Sequence, residues 1–283
     1  MQQWPLLFNL ILAVIAGCND YSDGPTDGAP ASKPADSVSK TAVISMRPIG
    51  NAPTLTEDAL KAFEQTHSCQ LPADYRAFLL SSNGVFPSPD CVIFEEAGRK
   101  TASDVFCFFA IGDERAGLSM DWNHETYADR IPEGTLPIGR DSGGNLWLLS
   151  VRGADAGSIY FWDHGSYDNF DETDLSNWPQ VATNFEEFRE RLTEYDAALE
   201  NGGVPSRYSL VKQAADGMVK HEPEFSARAN PDFVWHCDCD DEGNVRMQFV
   251  RYEVHAVATH TCGYSRLRAI NGFIKGGQTR LPE

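Results

Sequence analysis

The stretch that most constrains the fold is Leu136 to Asp163, LPIGRDSGGNLWLLSVRGADAGSIYFWD. Its three apolar runs, Leu136-Pro-Ile138, Leu146-Trp-Leu-Leu149 and Ile159-Tyr-Phe-Trp162, are short, branched or aromatic, and bounded by turn residues. That is the pattern of buried strands. Between the first two runs lies a turn motif of Asp141, Gly143, Gly144 and Asn145. Glycine supplies positive φ there, and Asp and Asn side chains hydrogen-bond their own backbone. Gly153-Ala-Asp-Ala-Gly157 is expected to reverse the chain again in the same way.

Asp141-Ser142-Gly143-Gly144 also matches the sequence around the nucleophile of chymotrypsin-like serine proteases. Such a site needs a histidine base and an aspartate orienter upstream within a double barrel. The folded region is expected to begin near Thr54, and His67 in THSCQ and His124 in WNHET do not resemble that family's histidine motif. The tetrapeptide is therefore assigned to a hairpin turn. His164 beside Asp163 is a neighbour in sequence rather than a pair positioned by a fold. The chain carries no phosphate-cradling glycine loop, nucleophile elbow or zinc-protease helix, so no catalytic residue and no cofactor are expected.

With 42% hydrophobic residues in 283, the chain has enough apolar material for one sizeable domain and a smaller one. The net charge of −18 is regional: residues 1–200 hold 13 Lys/Arg against 31 Asp/Glu, whereas residues 201–283 hold ten of each. Phosphate contacts need Lys and Arg, so the first two hundred residues do not suit nucleic acid. A cationic partner fits better.

Residues 1–18 are expected to be an export signal. The apolar stretch from Trp4 to Ala16 is too short to span a bilayer and ends in small residues before a cysteine. Ile15-Ala-Gly-Cys18 resembles the lipobox of bacterial lipoproteins, which implies cleavage before Cys18 and a diacylglycerol on its thiol. The protein would then be lipid-anchored in the bacterial cell envelope, facing the periplasm or the exterior, and would meet the membrane through that anchor alone. Met1-Gln-Gln-Trp-Pro5 has no Lys or Arg and Asn9 interrupts the apolar run. A plain secretory signal and a different start remain the alternatives. Residues 19–53 are rich in Asp, Ser, Gly, Pro and Ala, and are expected to be a disordered tether with a reach of roughly 30–35 Å. Val43-Ile-Ser-Met46 is its one candidate edge strand.

Thr54-Leu-Thr-Glu57 has the capping-box pattern, with Leu60 and Phe63 on the apolar face behind it. A second helix over Leu71–Leu80 repeats apolar residues at Tyr75, Phe78 and Leu79 and stops at Asn83-Gly84. Val105–Ile111 is expected to be a buried strand. Thr183-Asn-Phe-Glu186 is expected to cap one last helix carrying Phe185, Phe188, Leu192, Tyr195 and Leu199.

So placed, residues of about Thr54 to Leu199 resemble the SMI1/KNR4 family, or SUKH superfamily. LPADYRAFLLSSNGVFP at 71–87 is similar to the family's opening helix and Asn-Gly turn, and LPIGRDSGGNLWLLS at 136–150 to its Ile-Gly-x-Asp-x-x-Gly-Asn block. GSIYFWDH at 157–164 resembles its aromatic strand, and VATNFEEFRERL at 181–192 its final helix. The departures are Val85, where a second glycine is common, and an insert-like Met120–Arg130. The resemblance implies an α+β domain over 54–200, a central mostly antiparallel sheet with packed helices. It implies no enzyme. Bacterial relatives include immunity proteins that neutralise toxins, and fungal relatives act as scaffolds in cell-wall regulation.

The residues themselves agree in one respect. Between Gly153 and Glu187 there are eight acidic side chains and no Lys or Arg. Trp162, Asp163, Tyr167, Asp168, Asp171, Glu172 and Asp174 are therefore the candidate partner-binding set, an acidic face with aromatic anchors for a basic protein, a toxin in the immunity reading. The bland alternative is a solvated loop that keeps the protein soluble. An envelope scaffold without a toxin, and an enzyme whose site lies in the tail, are the other functional classes left open.

Residues 204–283 are expected to form a small α+β appendage. It would comprise a helix over Ser206–Val219, strands over Phe233–Asp238, Val245–Thr259 and Tyr264–Ile270, and a hairpin turn at Asp240-Asp-Glu-Gly243. Cys237, Cys239, His260 and Cys262 sit two apart in pairs, which on a strand places each pair on one face. They suit a disulfide, which export favours, or free thiols, or a tetrahedral zinc.

Overall fold

Every residue of Thr135–Arg140, Leu146–Ser150 and Ile159–Trp162 is buried, with no alternation between an inner and an outer face. Strands of that kind must be covered on both sides, and the rest of the chain supplies the cover. The structure is a computed structural model that describes residues 44–96, 98–164, 171–202, 204–205, 231–239 and 245–257.

In chain order the elements are β1 (Ser45–Pro48), α1 (Glu57–Thr66), α2 (Ala73–Ser81), β2 (Val85–Ser88), β3 (Cys91–Glu96), β4 (Arg99–Asp104) and β5 (Cys107–Phe108). There follow α3 (Met120–Thr126), β6 (Thr135–Arg140), β7 (Leu146–Ser150), β8 (Ile159–Trp162), β9 (Gln180–Ala182), α4 (Phe185–Glu190) and α5 (Tyr195–Glu200). The last are β10 (Val204–Pro205), β11 (Phe233–Cys239), β12 (Val245–Arg251) and α6 (Tyr252–Val257). The main sheet runs β1-β2-β5-β6-β7-β8-β9, and each neighbouring pair is antiparallel. A smaller sheet orders β10-β4-β3, and β11 pairs with β12 as an antiparallel ribbon. The fold is α+β, as the sequence implied.

Cross-strand pairing decides which aromatic faces which layer. Trp147 stands opposite Phe161, and that face is covered by Phe94 of β3 and Phe188 of α4, at 6.0 and 5.1 Å from the Trp147 ring. Trp162 stands opposite Leu146 and is covered by Tyr127, just after α3, and by Trp178, at 5.3 and 5.9 Å. Phe108 of β5 meets Phe78 of α2 and Phe185 of α4, which joins the helices to the sheet.

Several local expectations shift. Thr56, not Thr54, caps α1 by accepting from the Ala59 N–H at 3.2 Å, and the Glu57 carboxylate pairs with Arg76. Of Val105–Ile111 all residues are buried but only Cys107–Phe108 ladder as a strand. The expected single last helix is two, broken where Thr193 exchanges backbone hydrogen bonds with Cys91 at 2.8 and 3.0 Å. The insert-like stretch becomes α3, capped by Ser119. Ser45–Pro48, inside the stretch assigned to the tether, is the edge strand of the main sheet. Past Arg251 the chain turns into α6 where a strand to Thr259 was expected. Cys18, the proposed helix Ser206–Val219, the 240–243 turn and the strand Tyr264–Ile270 lie outside the described residues. So do His260, Cys262 and the side chains of Cys237 and Cys239, which leaves the disulfide, thiol and zinc alternatives where the sequence left them.

Candidate functional site

The β6–β7 turn is held by Asp141. Its Oδ1 accepts from the Gly143 and Asn145 N–H groups at 2.8 and 2.9 Å, and its Oδ2 accepts from Asn145 Nδ2 at 2.8 Å and the Ser103 hydroxyl at 3.2 Å. Gly144 takes φ +92°, so of the two glycines only this one uses the left-handed region. The Asp141 carboxyl is 1% exposed, and burial, reinforced by the Asp104 charge, raises its pKa above the usual carboxylate range. Ser142 donates its hydroxyl to Asp104, which gives the residue of the protease-like tetrapeptide a structural role. Asn145 then reaches outward: its Oδ1 meets His164 Nδ1 at 2.8 Å.

The candidate partner-binding set divides. Trp162 is 0% and Asp163 2% exposed, so neither is a surface anchor; the Trp162 ring is core, with the Arg130 guanidinium 5.1 Å above it. The burial of Trp162 follows from pairing with β7 and from cover by Tyr127. Glu172 is half-buried and pairs with Arg130 at 3.2 Å; burial raises its pKa, with Arg130 opposing. Asp171 and Asp174 are exposed, but each carboxylate closes a local turn, on Thr173 and Ser176 respectively. Tyr167 and Asp168 lie outside the described residues.

Beside this loop is a cleft of about 430 Å³ between the end of α1, the α3–β6 connection and the end of β7. Ile131, Leu136 and Val151 form its apolar wall, Asp129 and Glu133 contribute carboxylates, and Thr173 of the acidic loop borders it. His67 and His124 meet edge to face at 4.7 Å, and His67 Nε2 lies 3.3 Å from Asp121 Oδ1. Burial, with the His67 charge adding to it, lowers the His124 pKa. Burial pushes the Cys69 thiol in the same cleft up to about 11, which keeps it protonated and a poor nucleophile. Among the described residues no group of three or more His, Cys, Asp and Glu side chains is placed to hold a metal ion.

Against known proteins, residues 54–191 match the SMI1 / KNR4 family (SUKH-1). Residues 54–191 are an SMI1/KNR4 domain. The chain is also similar to the SPbeta prophage-derived uncharacterized protein YokK of Bacillus subtilis (strain 168), 28% identical over 177 residues that take in 55% of this chain and 85% of that protein. SMI1/KNR4 domains are generally non-catalytic and often of the immunity type.

Part of this domain's core comes from beyond the match. Arg140, 0% exposed, donates to the carbonyls of Gly117, Asp141 and Pro231 at 3.0, 3.2 and 2.9 Å, and lies between the Phe106 and Tyr252 rings at 4.2 and 4.6 Å. Gly117 permits the approach, since a Cβ there would sit 2.6 Å from the Pro231 carbonyl oxygen. The Tyr252 hydroxyl donates to Asn123 Oδ1 at 2.7 Å, and the His255 ring packs 4.8 Å from that of His164. Sequence reasoning missed Arg130, Arg140, Tyr252 and the cleft. The available signal was an arginine ending a fully apolar strand and a second one standing alone in an acidic region.

Proposed function

We propose that the chain is a non-catalytic protein-binding module, held at the bacterial envelope by lipid on Cys18, whose SMI1/KNR4 domain binds and neutralises a basic toxin. The observation that carries this reading is the SMI1/KNR4 match over residues 54–191, a region with 24 acidic and 10 basic residues. A single-sign field of that kind speeds encounter with a cationic partner and weakens with salt. The groups with catalytic resemblance have other work: Ser142 is held by Asp104, and Asp141 closes its turn.

Full-length protein immobilised in envelope extract of the native host is expected to retain a basic protein whose association slows as salt rises. Asp171→Asn with Asp174→Asn keeps the side-chain acceptor each turn needs while removing charge, and is expected to slow association and flatten its salt dependence. Retention of no basic protein, or binding indifferent to salt, overturns the reading. Labelled palmitate incorporation and mass spectrometry of the mature N-terminus test the anchor; an unmodified Cys18 or cleavage elsewhere removes it.

A further inference from the structure

We propose that the cleft between the end of α1, the α3–β6 connection and the end of β7 receives a lysine or arginine side chain of the partner. The proposal rests on the binding-module reading above and adds the place and the chemistry of the contact. At about 430 Å³ the cleft is large enough for a small ligand or a long side chain. Ile131, Leu136 and Val151, with Pro132, offer an apolar wall to an aliphatic stem, while Asp129 and Glu133, both exposed, add carboxylates to the lining for a cationic head. Lysine and arginine place a hydrocarbon stem and a charged tip in that order.

Charge decides the sign of the occupant. Asp129 and Glu133 line the cleft and Asp121 contacts its His67 at 3.3 Å, against one lining guanidinium, Arg152. Arg152 is engaged by Glu133 at 3.3 Å and by the Ser68 carbonyl at 3.0 Å. Arg130, the other nearby cation, pairs with Glu172 and donates to the His164 carbonyl. Burial and the neighbouring His67 disfavour the charged form of His124. The acidic loop at Thr173 borders the same cleft, which makes the pocket continuous with the face assigned to steering.

The test titrates the full isotope-labelled chain with an N-acetylated, C-amidated Ala-Lys-Ala tripeptide and with its norleucine counterpart, which has a similar stem and no charge. The lysine peptide is expected to shift amides within residues 128–136 and 151–152, the norleucine peptide much less. Asp129→Asn, at an exposed position, is expected to weaken the lysine peptide by up to about fivefold, the range of an exposed ion pair. Ala128→Trp, also exposed, is expected to abolish the shifts by filling the cleft without changing charge. Equal shifts with norleucine, shifts that ignore both variants, shifts centred elsewhere, or none would overturn the proposal. The two readings fail separately. A basic partner retained equally by wild type, Asp129→Asn and Ala128→Trp leaves the binding module standing and removes the cleft. A positive peptide titration with no basic partner does the reverse.

Discussion

Arg140 and Trp162 illustrate two ways in which one side chain ties layers together. A buried guanidinium is costly unless its donors are met and its faces covered. Arg140 meets three carbonyls from three parts of the chain and is sandwiched by two rings. Lysine keeps the charge but lacks the planar fork, so Arg140→Lys is expected to destabilise by about 2–3 kcal/mol through unmet carbonyls and lost stacking. Urea unfolding of the full chain measures this. Trp162 contributes area instead. With Tyr127 and Trp178 against its ring, Trp162→Ala is expected to destabilise by about 3–5 kcal/mol. Binding by this variant should fall only as far as its unfolded fraction grows, which calorimetry at two temperatures below the midpoint will separate from a true anchor effect.

At the scale of elements, helix ends carry most of the local specificity. α4 begins with Asn184 accepting from the Glu187 N–H at 2.8 Å, while the Glu187 carboxylate returns to the Thr183 N–H and hydroxyl at 2.7 and 2.6 Å. These hydrogen bonds, led by the Thr183 hydroxyl, hold the Glu187 pKa down at about 2. A depressed carboxylate pKa contributes stability that is present above the unfolded value and lost as pH falls toward the folded one. The difference in melting temperature between wild type and Glu187→Gln is therefore expected to be largest above pH 4.5 and to vanish by about pH 2. Glu187 is partly exposed, so salt will shrink the difference. A difference independent of pH would show that the substitution acts through packing. The capping signal at Thr54–Glu57 misplaced the first helix by two residues: Thr56 caps it, and the Glu57 carboxylate pairs with Arg76, distant in sequence.

Across the whole molecule, the SMI1/KNR4 domain is completed from both sides. β1 extends the sheet edge, and Pro231, Tyr252 and His255 close over β6 and its turn. A fragment ending at residue 202 is expected to melt about 10 °C below the full chain, since each lost kcal/mol costs roughly 2–4 °C at this size. Trimming further to 54–200 should lower it again; equal midpoints in a thermal scan would place both segments outside the cooperative unit. The meander, its Asp141–Asn145 turn, the apolar faces of α1 and α2, and the acidic bias were legible in the sequence. Each is set by patterns of a few residues, such as strand and helix periodicity or the backbone freedom of glycine. Only the tertiary structure decided that Trp162 and Asp163 are core, that the last helix breaks at Thr193, and that a cleft opens between α1 and β7. These depend on partners such as Arg140 with Pro231, 91 residues apart, and Asn123 with Tyr252, 129 apart, and contacts at that separation leave no trace in local periodicity.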